Sequence, residues 1–200
     1  MTASDGTKIL TDPFDKSVGY PIPETEADIV TTSHNHFDHN YTEAVKGAYT
    51  LFNSSGVHDA RGVRITGIST YHDIAGGAKR GGNIVFIYEV DGLRICHCGD
   101  LGHVLTGSQA DLAGKIDILM VPVGGNFTIN ARQALEVVEQ LKPKVVIPMH
   151  FKTDFMDFPI EKADVFLKLA GKPWKAQKGE MEITAQNIDE TTEIILPVFE

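Results

Sequence analysis

Five short apolar runs in this chain each end on histidine or aspartate, and that recurrence limits its fold more than any other feature. Asp12 follows "KIL", and His34, His36, Asp38 and His39 follow "ADIVTTS". His72 follows "RITGISTY", Asp100 follows "LRICHCG" and His150 follows "KVVIPM". Apolar runs of this length, bounded by turn residues, read as buried strands. In layered α/β proteins the strand ends along one edge share a rim, and sites are built there. The pattern predicts that segments remote in sequence deliver polar side chains to one place.

The residue types point to metal. "HNHFDH" places three histidines and an aspartate in the six positions from His34 to His39. Alone, such a cluster also fits a polar loop; its joint order with His72, Asp100 and His150 favours ligands. Imidazole nitrogen and carboxylate oxygen suit zinc, manganese or iron. His34 and His36, two apart, can converge on one ion, while Asp38 and His39 face a second. Two cations close together need an anion between them, and Asp100 can serve. His72 and His150 complete the two sets, giving seven ligand residues and room for water.

The remaining pattern is that of a layered α/β domain, with residues 1–200 expected to form one unit. No repeat, low-complexity tract or Pro/Ser-rich linker interrupts it. "TKILTD", "ADIVTTS", "RITGIST", "KIDILMVPV" and "KVVIPM" read as strands, and "TTEIILPVF" as a strand closing a sheet. "NIVFIYEV" and "LRICHC" flank Asp91-Gly92, a strong hairpin signal. A helix is predicted from the cap Asn130 to the residue before Pro143, with Ala131, Leu135 and Val138 on its apolar face. A second is predicted from near Pro159 to the C-cap Gly171.

Composition narrows the function classes. The net charge of −9 disfavours phosphate backbones, so nucleic acid is not an expected partner. No apolar run approaches the roughly 20 residues of a membrane helix. "MTASDGTKIL" has neither a basic n-region nor an apolar core, so no signal peptide is expected. Cys96 and Cys98, one residue apart on a strand, read as buried thiols in a reducing compartment, and a cytoplasmic location follows as the expectation.

The ligand pattern resembles that of the metallo-β-lactamase-fold hydrolases. That superfamily carries His-x-His-x-Asp-His, then a separate His, an Asp and a final His, each on a strand-end loop. The matches are "HNHFDH", His72 in "STYHD", Asp100 in "CGDLGH" and His150 in "IPMHF". Asp12 in "TDPF" matches an aspartate that supports the family's site through hydrogen bonds. "VPVGGNFTINARQALE" and "LKPKVVIPMHFKTD" are similar to a branch that includes the ascorbate-phosphate lactonases and the phospholipase D acting on N-acylphosphatidylethanolamine. The resemblance runs from about Asp5 to Thr153. It implies a four-layer αββα sandwich. Only Met1 to Ser4 precede the Asp5-Gly6 turn, where relatives have a strand, so that first strand is expected to be reduced or missing. Pairing into a homo-oligomer is one way to cover the resulting edge.

The resemblance also implies a dinuclear metal-dependent hydrolase. Two divalent ions, zinc first with manganese or iron as alternatives, would sit about 3.5–4 Å apart and share a hydroxide. His34, His36 and His72 would hold one, Asp38, His39 and His150 the other, and Asp100 would bridge. Asp38, Asp100 and His150 are the ligands expected to act in catalysis. The substrate is expected to be a small molecule, either a lactone or other ester, or a phosphodiester. The alternatives are a nuclease or phosphodiesterase acting on nucleic acid and an iron-dependent redox protein of the same fold.

Other residues stay open. His103 is a pocket residue or proton donor, or a surface histidine. Gly125, Asn126 and Thr128 in "GGNFTIN" are candidates to face substrate. Lys79 and Arg80, between glycine pairs, bring positive charge to an anionic substrate or belong to a solvated connection. His97 reads as a satisfied core residue or a support for the ligands, and His58 as surface.

Overall fold

The computed structural model describes residues 1–22 and 25–199. The strands, in chain order, are β1 (Ile9–Thr11), β2 (Thr25–Glu26), β3 (Ile29–Thr31), β4 (Val45–Lys46), β5 (Thr50–Phe52), β6 (Gly56–Ala60), β7 (Val63–Tyr71), β8 (Gly82–Val90) and β9 (Leu93–His97). Helix α1 (Gly107–Ala113) leads to β10 (Ile118–Pro122), α2 (Ala131–Leu141), β11 (Val145–Met149), α3 (Ala163–Ala170), β12 (Trp174–Lys178) and β13 (Glu193–Val198). β1, β3 and β5 form a small parallel sheet. The large sheet has the order β12-β13-β11-β10-β9-β8-β7-β6, and β2 pairs with β4.

The two sheets face each other, and strict alternation along the central strands explains why. Phe86, Tyr88, Ile95, Ile118, Val145 and Ile195 point to the small sheet, where they meet Ile9 and Ile29. Their neighbours Ile87, Cys96, Leu119, Val146 and Ile194 point the other way, against Val137, Leu141 and Phe166 of the helices. A strand buried on both faces needs a continuous apolar run, and "KIDILMVPV" and "KVVIPM" are such runs. All three α-helices lie on this outer face of the large sheet. The connections β1 to β3 and β3 to β5 carry single 3₁₀ turns, Lys16–Val18 and Thr42–Ala44. Among the described residues no helix is long and apolar enough to cross a membrane.

Local chemistry accounts for several boundaries. Asp91 (φ 50°) and Gly92 (φ 78°) both take left-handed conformations, which closes the β8–β9 hairpin with Val90 opposite Leu93. The Asn130 side chain accepts from the N–H groups of Arg132 and Gln133, and Gln133 returns a bond to the Asn130 amide. Helix α2 ends at left-handed Lys142, directly before Pro143. Its buried face comprises Ala131, Ala134, Val137, Val138 and Leu141, with Leu135 only partly covered.

Three expectations need correction. Helix α3 begins at Ala163 rather than near Pro159. Backbone bonds from Glu161 to Gly124 and from Lys152 to Glu161, each 2.8 Å, hold the preceding segment extended. The run "TTEIILPVF" does not close the sheet; β13 lies between β11 and β12, and β12 forms the edge. His58, expected at the surface, is half-buried on β6, stacked on Phe52 and bonded to the Ser54 carbonyl at 2.9 Å. The expected first strand is reduced to one antiparallel bridge, Thr2 to Lys8, flanked by Met1–Ile9 backbone bonds of 2.7 and 2.8 Å. Ser4 then fastens this segment to the β8–β9 turn through Asp91.

Candidate metal centre

Every strand expected to end at the site does so on one rim. Asp12 directly follows β1, His72 follows β7 and His150 follows β11, while His34 and Asp100 lie three residues beyond β3 and β9. Asp12 (φ 46°) and His150 (φ 49°) are both left-handed. Non-glycine residues persist there only when their surroundings hold them, and such strain gathers at functional sites.

Asp100 is the hub. It is buried, with its Oδ2 3.1 Å from His72 Nε2, 3.5 Å from His150 Nε2 and 4.0 Å from His34 Nε2. Its Oδ1 lies 3.3 Å from His39 Nε2. Asp38 stands 3.8 Å from the same His39 nitrogen. His36 joins through its ring, 4.5 Å from that of His34 and 5.2 Å from that of His72. His34, His36 and His72 each offer one donor atom within 4.8 Å of the others, and so do His34, His39 and Asp100. The structure thus brings all seven expected ligands together.

Glycines permit this approach. A Cβ on Gly102 would lie 2.2 Å from the His72 carbonyl carbon and the Asp73 nitrogen. One on Gly124 would lie 2.2 Å from the His150 carbonyl oxygen, and one on Gly99 would strike Asn83 and Ser33 at 2.5 Å. The loops that carry Asp100, His72 and His150 pack backbone against backbone, where no side chain fits.

Asp12 supports the site from below. Its carboxylate accepts from the Ser33 amide at 2.7 Å and the Ser33 hydroxyl at 2.6 Å, and it faces His39 Nδ1 at 3.0 Å. This fixes the His39 ring with Nε2 turned toward Asp100. Buried His97 lies beneath, its Nδ1 3.9 Å from Asp12. Asn83 holds the Asp100 loop: its carbonyl accepts from the Asp100 amide at 2.9 Å, and its amide donates to Thr70 Oγ1 and the Cys98 carbonyl. Nothing in the sequence marks Asn83, an ordinary polar residue near the start of a strand.

The electrostatics favour a cation. Burial holds the His34 imidazole neutral, its pKa down at about 3, with protonated His39 nearby adding to the effect. Burial likewise lowers His36 and His97. For His39 burial also acts downward, but Asp100, Asp12 and Asp38 outweigh it and raise the pKa to about 9. Burial alone would raise Asp100, yet His39, His150, His72 and His34 hold it far below the usual carboxylate range. In the metal-free protein the proton on His39 therefore supplies the positive charge the site needs. His34 Nε2, His72 Nδ1, His150 Nδ1 and Asp100 Oδ1 are buried without a hydrogen-bond partner. Such orphans cost about 1–3 kcal/mol each unless something binds them. Imidazole nitrogens converging on an ionised carboxylate form a donor set that fits divalent ions of the zinc type.

Two cavities adjoin the centre. One, of about 880 Å³, is lined by His34, His36, Asn35, Asn40, Asn53 and Arg80 among others. The second, of about 570 Å³, opens onto Asp38, His39, Asp100 and His150. Arg80 is held by a loop built on buried Asp73, whose carboxylate accepts from the amides of Ala75, Gly77, Lys79 and Arg80 at 2.7–3.0 Å. Its guanidinium lies 4.7 Å above the Phe127 ring. "GGNFTIN" meets the site through Gly124, packed on the His150 carbonyl, and through Phe127 under Arg80; Gly125, Asn126 and Thr128 line neither cavity. His103 lines neither as well. Its Nε2 accepts from the Tyr71 amide at 3.2 Å and its Nδ1 lies 2.8 Å from the Val104 carbonyl.

Residues 1–150 match the model of the β-lactamase superfamily domain. The chain belongs to that superfamily. Within it, a UPF0173 metal-dependent hydrolase of Pyrococcus abyssi is 32% identical over 176 residues, spanning 73% of this chain and 78% of the relative. One from Pelotomaculum thermopropionicum is 34% identical over 182 residues, with the same coverage. A Thermotoga maritima crystal structure, assigned as a zinc-dependent hydrolase of the metallo-β-lactamase superfamily, aligns with a TM-score of 0.82 and 40% identity. That alignment covers 98% of this chain and 92% of the other. The fold extends to CmlA, a diiron β-hydroxylase of Streptomyces venezuelae, with a TM-score of 0.60 at 13% identity over 94% of this chain and 49% of that one.

Proposed function

We propose that residues 1–200 form a single metal-dependent hydrolase domain that binds two divalent ions, zinc first, with manganese or iron able to take its place. His34, His36 and His72 would hold one ion and Asp38, His39 and His150 the other, with Asp100 between them. One observation carries this reading: a buried carboxylate faces four imidazoles from three segments, and two atoms of that cluster, His34 Nε2 and Asp100 Oδ1, are buried without a hydrogen-bond partner. Bound there, the ions would lower the pKa of water toward neutrality and polarise the oxygen of the bond under attack.

The chain's own residues do the rest. Asp12 and Asn83 hold His39 and Asp100 in register. Asp38 and His150 line the second cavity, so a group bound there touches them directly. Arg80 gives the first cavity its cation, which suits a substrate with an anionic or polar end. The substrate class is a small-molecule ester or lactone, or a phosphodiester. The net charge of −9 weighs against nucleic acid. Two buried free thiols, Cys96 and Cys98, support a reducing, cytoplasmic setting.

The test is elemental analysis of protein purified without chelator, followed by chromogenic phosphodiesters, lactones and β-lactams with a His150→Ala control. About two equivalents of metal are expected, with turnover that chelation abolishes and zinc or manganese restores. Less than one equivalent, with no gain on adding either metal, overturns the reading. Turnover that survives His150→Ala marks a contaminant. NADH-linked oxygen uptake by iron-loaded protein would favour the redox alternative instead.

A further inference from the structure

We propose that the 570 Å³ cavity beside Asp38, His39 and His150 binds an uncharged aryl or alkyl group of the substrate, so that the scissile bond joins a hydrocarbon end to a polar end. This rests on the hydrolase reading above. Beyond the metal-site residues Asp38, His39, His97 and Asp100, three separate stretches wall the cavity: the loop after β1, the segment after β11 and the end of β13. They contribute Phe14, Tyr20, Phe151, Phe155, Phe158 and Phe199. The Tyr20 ring packs 5.2 Å from Phe155, 5.1 Å from Phe199 and 6.2 Å from Phe14.

The polar atoms of this wall are already spoken for. Tyr20 Oη and Thr153 Oγ1 bond to each other. Among the described residues no lysine or arginine lines it, and the carboxylates and imidazoles there, Asp12, Asp38, His39, His97, Asp100 and His150, belong to the metal centre and its support. Among the aromatic rings, away from the metal end, a carboxylate or phosphate would lose its water with no lysine or arginine to meet it, a cost that an apolar group avoids. The other cavity, with Arg80 and four asparagines, presents the opposite chemistry. The wall is also closely joined: a Cβ on Gly19 (φ 102°) would fall 2.0 Å from the Phe155 carbonyl oxygen. A cavity on the order of 150 Å³ holds a benzene ring, so this one has space for a ring and several further carbons.

The test has a binding arm and a kinetic arm. Metal-loaded protein is titrated with 4-phenylbutan-1-ol and with butane-1,4-diol, followed by calorimetry and by NMR of the aromatic side chains. The phenyl compound is expected to bind and to shift the cavity's rings, the diol to do neither, and Phe155→Ser to weaken binding at least about tenfold while metal content is unchanged. In the kinetic arm, p-nitrophenyl acetate, butyrate and hexanoate are compared with the mono-p-nitrophenyl ester of adipic acid. kcat/KM should climb about fourfold per methylene, and the terminal carboxylate should remove the gain. Hydrolysis indifferent to chain length, together with no binding of phenylbutanol, overturns the cavity proposal and leaves the hydrolase reading intact. Phenylbutanol binding that needs Phe155, without hydrolysis of any ester, supports the cavity and counts against the hydrolase reading. Equal binding by wild type and Phe155→Ser places the probe elsewhere and overturns the proposal.

Discussion

Replacing Asp100 with alanine is expected to lower kcat/KM by at least about a thousandfold and to reduce the bound metal below two equivalents. Among the described residues, Asp100 is the one carboxylate within 4.0 Å of all four of His34, His39, His72 and His150. Without it, two cations would face imidazoles with no anion between them. The folded chain itself should tolerate the change, because the substitution removes a buried charge while Asp12 and Asp38 still face His39. In the wild type, an ion present at 100 times its Kd adds about 2.7 kcal/mol of stability. For a chain of this size that raises Tm by several degrees. Asp100→Ala should show the metal-free Tm and lose this increment. A variant that keeps two ions and more than a tenth of its activity would show that Asp100 does not join the two ligand sets.

The second large effect comes from a residue with no side chain. Gly102→Ala is expected to lower Tm by about 5–10 °C and to reduce metal content together with activity. The added methyl would sit 2.2 Å from the His72 carbonyl carbon and the Asp73 nitrogen, both of them backbone atoms. No rotamer relieves that contact, so the Asp100 and His72 loops must move apart. Gly107→Ala is the matched control: a Cβ there meets nothing within 4 Å, and the residue opens helix α1. It should be neutral within about 0.5 kcal/mol. Equal Tm and metal content in the two variants would mean that close approach of the loops is not what assembles the site.

The site was legible in the sequence because its parts are chemically specific and lie at strand ends. Histidine and aspartate after apolar runs announced His34, His36, Asp38, His39, His72, Asp100 and His150, and the structure gathers them. The β8–β9 hairpin and α2 were legible because Asp91-Gly92 and Asn130 act locally. What was not legible depends on contacts between remote segments. The start of α3 is set by hydrogen bonds to Gly124 and Lys152, which no helical period encodes. Strand β12, "WKAQK", is short, polar at three of its five positions and without a buried face, because it is an exposed edge. Helix α1 is short, and its one signal, the Thr106–Gln109 capping box, lies in an otherwise polar stretch. Asn83, Asp73 and Phe127 act through partners far along the chain, so each looks ordinary in sequence. The aromatic cavity escaped notice for the same reason, since Phe14, Phe155 and Phe199 meet only in three dimensions.

Anomalous diffraction at the zinc edge, from crystals of zinc-loaded protein, tests the dinuclear centre most directly. The expected map holds two peaks about 3.5–4 Å apart. One lies about 2.0–2.2 Å from nitrogens of His34, His36 and His72, the other at that distance from Asp38, His39 and His150, with Asp100 reaching both. A single peak, or a second one remote from Asp38, His39 and His150, would contradict it.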